Sequence, residues 1–524
     1  MTEKQTLLYI LCYNYIPVIF TLLVLFILYK HVIYISAYWN FPRLKQMRLL
    51  SLIKLFSVKS NDIRGQLSFI GQMPDRGEGW IVLGLPIYPV IITYEPTINK
   101  KILNSKLPGR GLLTRLTFEG IDGLIVSSSK KWHQRRTLIA PSYSQKVMET
   151  FIPIIVEHSI QLVNDLDTMV GQWVDFHSII FDVEMGIFLD TSMGLRHSQL
   201  SALRPTIAEL MKTWLKNQFH RVRNILLWNE TVKVIYFYIT GRRNTRKLLE
   251  QICLKIIDQR VEDHKNGLNS IICDNVLKSG EEIQLQNGTK SSEKTKVFLD
   301  HLIEAHLENQ EDPKIDRKGL FEEVINFTAG GTETVASGVR WVLHSLANHP
   351  KIQEELYQEL ESMNLNDPNL SPMYLDSFQL LDQCCKETLR LRPGIPWIPR
   401  VLGEDVWLGK HLVPKGTQVY VSTYYTHRDS TIYPSPKKFD PSRFSPENIE
   451  KIPPGGYIPF GAGPRRCIGY KTGLVIMKIL LCYIIKNFTV TTLDPMNVKI
   501  EFTGVVEPKV PIKFKFERRQ ISEE

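Results

Sequence analysis

Pro459-Phe460-Gly461-Ala462-Gly463-Pro464-Arg465-Arg466-Cys467-Ile468-Gly469 places one cysteine at the end of a glycine-rich loop. Behind it runs an apolar segment, Thr472 to Phe488, long enough for a helix. A thiol at such a junction faces the positive end of the helix dipole and free backbone N–H groups, which favour the thiolate. Gly463 and Gly469 allow backbone angles or close approaches that a side chain would block. Arg465, two residues before the cysteine, is placed to pair with an anion. A lone cysteine is more often a buried structural residue. Here several residue types at fixed spacing favour a metal ligand instead.

The spacing Phe-x-x-Gly-x-Arg-x-Cys-x-Gly is met at every position. It resembles the haem-binding loop of the cytochrome P-450 superfamily, the haem-thiolate monooxygenases. The resemblance implies that Cys467 ligates the iron of haem b, with Phe460 and Arg465 as cofactor contacts. A thiolate pushing electron density onto iron is established chemistry of that family. The implied fold is mainly helical with small β-sheets (α+β).

Other segments agree in chain order. Trp132 and Arg136 are four apart, so they share one helix face. Without the cysteine loop they read equally well as a cation–π surface pair. The resemblance makes both of them donors to a haem propionate, and Arg400, in Pro396-Trp-Ile-Pro-Arg400, a third. Phe327-Thr-Ala-Gly330-Gly331-Thr332-Glu333-Thr334 lies inside a helical pattern running to His349. Adjacent glycines within a helix cost roughly 1 kcal/mol each relative to alanine, which points to a packing or functional reason. The bland alternative is a kink with a surface glutamate. By resemblance the helix opens at Gly330 beside the iron, Thr334 offers its hydroxyl to the oxygen site, and Glu333 passes protons from solvent. Glu387-Thr-Leu-Arg390 and Arg443, in Phe439-Asp-Pro-Ser-Arg443-Phe444, resemble the family's buried structural triad.

Wording around Lys131 to Ser144 and Phe439 to Asn448 is similar to the branch holding fatty-acid ω-hydroxylases and related arthropod enzymes. Many ω-hydroxylases carry a glutamate that bonds haem covalently. Gly330 stands there in this chain, so the haem is expected to be non-covalent. The usual proline-rich hinge after the anchor is reduced to Phe41-Pro42.

At 524 residues the chain can bury a large core. Seven cysteines, an odd number without framework or Cys-x-x-Cys spacing, exclude a disulfide scaffold and a zinc ribbon and suit a reducing compartment. The net charge of +10 is spread along the chain rather than gathered in a stripe, which suits an anionic membrane or an acidic protein better than nucleic acid. Thr6 to Tyr29 carries no charged side chain and is long enough to span a bilayer. The cationic residues Lys30, Arg43, Lys45, Arg48 and Lys54 follow it, so the positive-inside rule keeps the rest cytosolic. The expected organisation is a single-pass anchor and linker over residues 1–38 and a catalytic domain over 39–524, at the endoplasmic reticulum membrane.

Between these landmarks, short β-branched runs such as Trp80-Ile-Val-Leu83 and Val90-Ile-Ile-Thr-Tyr94 predict strands. Helical periodicity dominates from Lys130 to Arg260, and polar Asp263 to Thr295 reads as a surface loop. Further helices are predicted over Lys296 to Leu360 and Gln379 to Leu391, with short strands around Val401 to Val421 and Thr489 to Phe516.

No dinucleotide fingerprint is present, because Arg466 takes the third-glycine position. Electrons therefore come from another protein. The resemblance implies NADPH-cytochrome P-450 reductase, with cytochrome b5 as a further donor, dioxygen, and a hydrophobic substrate. Lys130, Lys131, Arg135, Lys437, Lys438, Arg466 and Lys471 are the expected basic docking face. Substrate-lining segments are expected at Leu107 to Gly123, Met211 to Phe219, the Gly330 side of the long helix, Gly394 to Pro399 and Thr503 to Val506. Two rival readings are a reductase-independent haem-thiolate isomerase or dehydratase, and a non-catalytic haem-binding protein. Thr334 argues against the first, and an intact Glu333/Thr334 pair disfavours the second.

Overall fold

The computed structural model describes residues 80–519, apart from 85–88, 106–108, 119, 196–203, 224–226, 228–229, 242–244, 267–295, 309–310, 312, 365–369 and 410. The expected anchor and linker, the Phe41-Pro42 hinge and most of the polar loop lie outside the described residues. Among the described residues no helix is long and apolar enough to cross a membrane.

Two short strands come first, β1 (Trp80–Gly84) and β2 (Pro89–Thr93), then α1 (Pro96–Asn104). Helices α2 (Ser129–Ile139) and α3 (Gln145–Asp167), strand β3 (Trp173–Asp175) and helices α4 (Phe176–Ser192), α5 (Arg204–Arg223), α6 (Glu230–Ile239) and α7 (Thr245–Lys265) follow. The central pair is α8 (Arg317–Gly331) and α9 (Glu333–Ala347), then α10 (Gln379–Leu391), β4 (Trp397–Val401) and β5 (Gln418–Ser422). The chain closes with α11 (Tyr470–Asn487), β6 (Phe488–Thr492), β7 (Ile500–Phe502), β8 (Val506–Pro508) and β9 (Lys513–Arg518).

The sheets are small. One runs β1-β2-β5-β4, with β2 parallel to β5 and the other pairs antiparallel. A second runs β3-β9-β6, and β7 pairs with β8. Alternation along β4 buries Ile398 and Arg400 on one side, so a charged residue enters the interior by strand period alone. The helical core is continuous, and α11 lies inside it: Val475 to Ile485 are all buried. A helix this apolar belongs in a core, with its buried Lys478 paired to Asp376 and Asp382, and its fixed position there holds the loop that precedes it.

The sequence pattern predicted a helix through Gly330 and Gly331 to His349, expected by resemblance to open near the glycines, and the structure divides it at Thr332. A Cβ on Gly331 would press on the Phe188 ring at 3.1 Å, so the close approach of α4 accounts for this glycine. Side chains take up the carbonyls that the break loosens. The Thr332 hydroxyl donates to Thr328 O at 2.8 Å, and Thr334 Oγ1 donates to Gly330 O at 2.7 Å.

Glu323, fully buried on α8, accepts the Leu124 N–H at 3.0 Å and lies 3.6 Å from Arg135 Nε. Burial pushes its carboxyl from 4.5 up to about 7. A folded-state value above the unfolded one stabilises the fold below pH 4.5, and this contribution is lost as the pH rises through about 7. Glu323→Gln keeps the acceptor for Leu124 and cannot ionise. Relative to that variant, the wild type should lose about 3 kcal/mol between acid and neutral pH, read from urea midpoints. Parallel curves would exclude Glu323 as the source.

Candidate functional site

The glycine loop is built by backbone geometry. Gly461 and Gly463 have φ of +71° and +70°, which side-chain-bearing residues rarely adopt. A Cβ on Gly463 would also overlap the Leu103 carbonyl at the end of α1. The Arg466 N–H donates to Gly463 O and the Cys467 N–H to Phe460 O, both at 3.0 Å. The chain then enters α11 three residues beyond the cysteine. Cys467 is exposed, whereas Cys253, Cys384, Cys385 and Cys482 are buried.

At Cys467 desolvation raises the thiol above its ordinary 9.0. The Gly469 N–H and the Arg136, Arg466 and Arg110 charges act the other way, but burial outweighs them. A bound metal is what would hold this sulfur deprotonated.

Arginines converge beside it. Arg400 is fully buried; Nη1 donates to Pro399 O at 2.9 Å, and Nε and Nη2 have no acceptor. Arg465 donates Nη2 to Ser127 O at 2.9 Å and lies 4.8 Å over the Trp132 ring, leaving Nη1 without an acceptor. Arg136 Nη1 donates to Arg466 O at 3.0 Å. Arg110 Nε has no acceptor either. Burial, and then their mutual repulsion, lowers Arg400 far below 12.5 and Arg110 to about 10; burial takes Arg465 to about 10. Buried like charges with free N–H groups call for anionic carboxylates between them. The two propionates of haem b meet that need, so the residues present fit the cofactor. Arg110 was missed in the sequence; its only signal is the Gly109-Arg110-Gly111 setting.

The broken helix faces this loop through packing. Tyr143 lies 3.4 Å from where a Cβ on Gly469 would be and packs at a 32° tilt on Phe327 of α8, with centroids 5.8 Å apart. Val335 of α9 faces Gly473 of α11 at 3.6 Å. Gly330 is exposed, and a Cβ there would meet only Ile125, at 3.7 Å. Ile125 is held in place by its N–H to Asn326 Oδ1 at 3.0 Å. Gly504 lies against the Phe219 ring, and the Val506 N–H donates to Gly394 O at 3.0 Å. Pieces of the expected lining segments around Phe219, Gly394 and Thr503–Val506 are thus adjacent. Glu333 turns to His177, with Nε2 to Oε1 at 3.3 Å.

Glu387, Arg390 and Arg443 form one cluster apart from the arginine group. Arg390 grips Glu387 by Nε to Oε2 at 2.6 Å and Nη2 to Oε1 at 2.8 Å. It also donates to the carbonyls of His427, Pro436 and Lys438. Glu387 accepts the Asp440 N–H at 2.8 Å and lies 3.5 Å from Arg443 Nε. The expected basic docking face is corrected at two places. Lys131 is paired with Asp122 and Glu322, and Arg135 is buried beside Glu323. Lys130, Lys437, Lys438, Arg466 and Lys471 remain exposed.

The sequence profile of the cytochrome P450 family matches residues 80–516. "Cytochrome P450 4c21" of Blattella germanica is 30% identical over 439 residues, covering 82% of this chain and 84% of that one. "Cytochrome P450 4V2" of Mus musculus is 29% identical over 446 residues, covering 82% and 78%. A solved cytochrome P450, CYP102L1, superposes with a TM-score of 0.71 at 20% identity over 89% of this chain and 96% of that one, which supports the fold. Family-4 relatives from insects and mouse agree with the branch that the sequence resembles. Matched along most of its length, with a loop cysteine and a cluster of unsatisfied arginines suited to haem b, the chain belongs to the cytochrome P450 family of haem-thiolate monooxygenases.

Proposed function

We propose that the chain is a membrane-bound monooxygenase that hydroxylates or epoxidises a hydrophobic substrate: a fatty acid, another lipid, a hormone or a xenobiotic. Its electrons come from NADPH-cytochrome P-450 reductase, with cytochrome b5 as a second donor, on the cytosolic face of the endoplasmic reticulum. The carrying observation is the interrupted helix at Gly330–Thr334, packed through Tyr143 and Val335 against the Cys467 loop. Ile125 borders it at Gly330, and a second apolar group forms where Phe219 packs on Gly504 and Phe502. Such a lining excludes water and suits an apolar ligand. Membrane association is supported by α6, where exposure runs from 54% at Ile235 to 88% at Tyr238, with Val234 and Ile239 between those values.

Bound haem supplies the activation of dioxygen. Cys467 binds the metal, and Trp132, Arg136, Arg400 and Arg465, together with Arg110, orient the cofactor through its carboxylates. Phe460 braces the loop, its carbonyl accepting the Cys467 N–H. Thr334 holds a proton at Oγ1, donated to Gly330 O until substrate and oxygen compete for it. Glu333 takes protons from the solvent side and passes them inward. Glu387, Arg390 and Arg443 hold the segment before the loop and take no part in the chemistry.

In vesicles with reductase, turnover should require reduced nicotinamide. Thr334→Ala should lower product per nicotinamide consumed about tenfold and release peroxide instead. Product formation without reductase, or an unchanged ratio in the variant, would refute the oxygenase reading of this pair.

A further inference from the structure

The Glu333 side chain is only partly exposed. Its carboxylate meets the ring of His177, in the first turn of α4, with Nε2 to Oε1 at 3.3 Å. The other charged groups around the ring are accounted for. Glu507 of β8 lies 3.9 Å from the same Nε2, but both its oxygens are held by Arg340, at 2.9 and 2.6 Å. Asp175 caps α4 by accepting the His177 main-chain N–H at 3.1 Å. Glu333 is therefore the carboxylate left to accept from the imidazole. Exposure falls from 26% at the His177 side chain to 16% at Glu333, so the ring is the more solvent-facing of the two.

We infer that His177 is the positioning residue that loads Glu333 with protons, an inference that rests on the proton role proposed above for Glu333. One proton leaves Nε2 for Glu333 Oε1, one arrives at Nε2 from bulk water, and no electrons move. Nδ1 is buried and has no partner. The imidazolium before transfer and the neutral ring after it both carry a hydrogen on Nδ1, so Nε2 alone gives up the proton and takes the next one. Histidine suits such a station because its ordinary range spans neutral pH. No motif marks His177 in the sequence: it lies 156 residues before Glu333, and the packing of α4 against α9 joins them.

The test uses the haem-loaded full chain with reductase. His177→Phe, His177→Gln and Glu333→Gln are compared with wild type by product per nicotinamide consumed, across about pH 6 to 8.5, and by the solvent deuterium isotope effect. Glutamine preserves an N–H donor toward Glu333 but carries no exchangeable charge, so a purely structural role would survive it. Both His177 variants are expected to lower the ratio about tenfold, raise the isotope effect and lose the wild-type pH inflection. Wild-type ratio and pH profile in both His177 variants would overturn the inference. Should Glu333→Gln also match wild type, the proton role of Glu333 fails with it; should Glu333→Gln alone lose the ratio, only the His177 station fails.

Discussion

Arg390→Met is expected to abolish accumulation of haem-loaded protein. The side chain is fully buried and ties its own helix to the segment carrying His427, Pro436 and Lys438. Its loss strands the Glu387 carboxylate, already raised by burial, with Arg443 Nε at 3.5 Å and one N–H from Asp440. Breaking a buried ion pair by removing one partner costs roughly 3–5 kcal/mol. Here the carbonyls of His427, Pro436 and Lys438 lose their donor as well, each costing about 1–3 kcal/mol if it stays dry. Against a total stability of roughly 5–15 kcal/mol, that suffices to unfold the chain. Arg390→Lys should fare little better, because an ammonium cannot fork to two oxygens and still reach three carbonyls. Normal haem content and a thermal midpoint within a few degrees of wild type would show that the cluster does not hold this segment.

Arg400→Met should split the stability of the two forms of the protein. Without haem, Arg400 is a buried charge with Nε and Nη2 unsatisfied, repelled by Arg110 and Arg465. Methionine fills similar space without the charge, so the haem-free protein should gain about 1–3 kcal/mol in urea unfolding. With haem, the same change removes a carboxylate donor, and transfer of haem to an acceptor protein should quicken about 10–100-fold. Equal destabilisation of both forms would mean that Arg400 is satisfied by something other than the cofactor.

Much of this site was legible because its chemistry is local in sequence. The loop from Phe460 to Gly469 needs left-handed backbone at Gly461 and Gly463 and a helix immediately behind, and all three can be read off one stretch. Glu387 and Arg390 are one turn apart on a single helix, so their pairing follows from the period alone. What stayed hidden was tertiary. Gly331 sits against Phe188 of another helix, a contact that no periodicity within residues 317–347 reveals. Arg110 and His177 carry no motif and acquire meaning only from neighbours distant in sequence. Lys131 and Arg135 read as surface charge on the helix pattern, yet Glu322 and Glu323 of α8 capture them.

Sulfur-to-iron ligation through Cys467 is the bond on which every assignment above depends, and carbon monoxide reads it directly. Reduced, haem-loaded wild type under carbon monoxide should give the strongly red-shifted band of a thiolate-ligated iron, and Cys467→Ala should not. A wild type that binds haem fully but shows the unshifted band of a nitrogen-ligated iron would contradict the account.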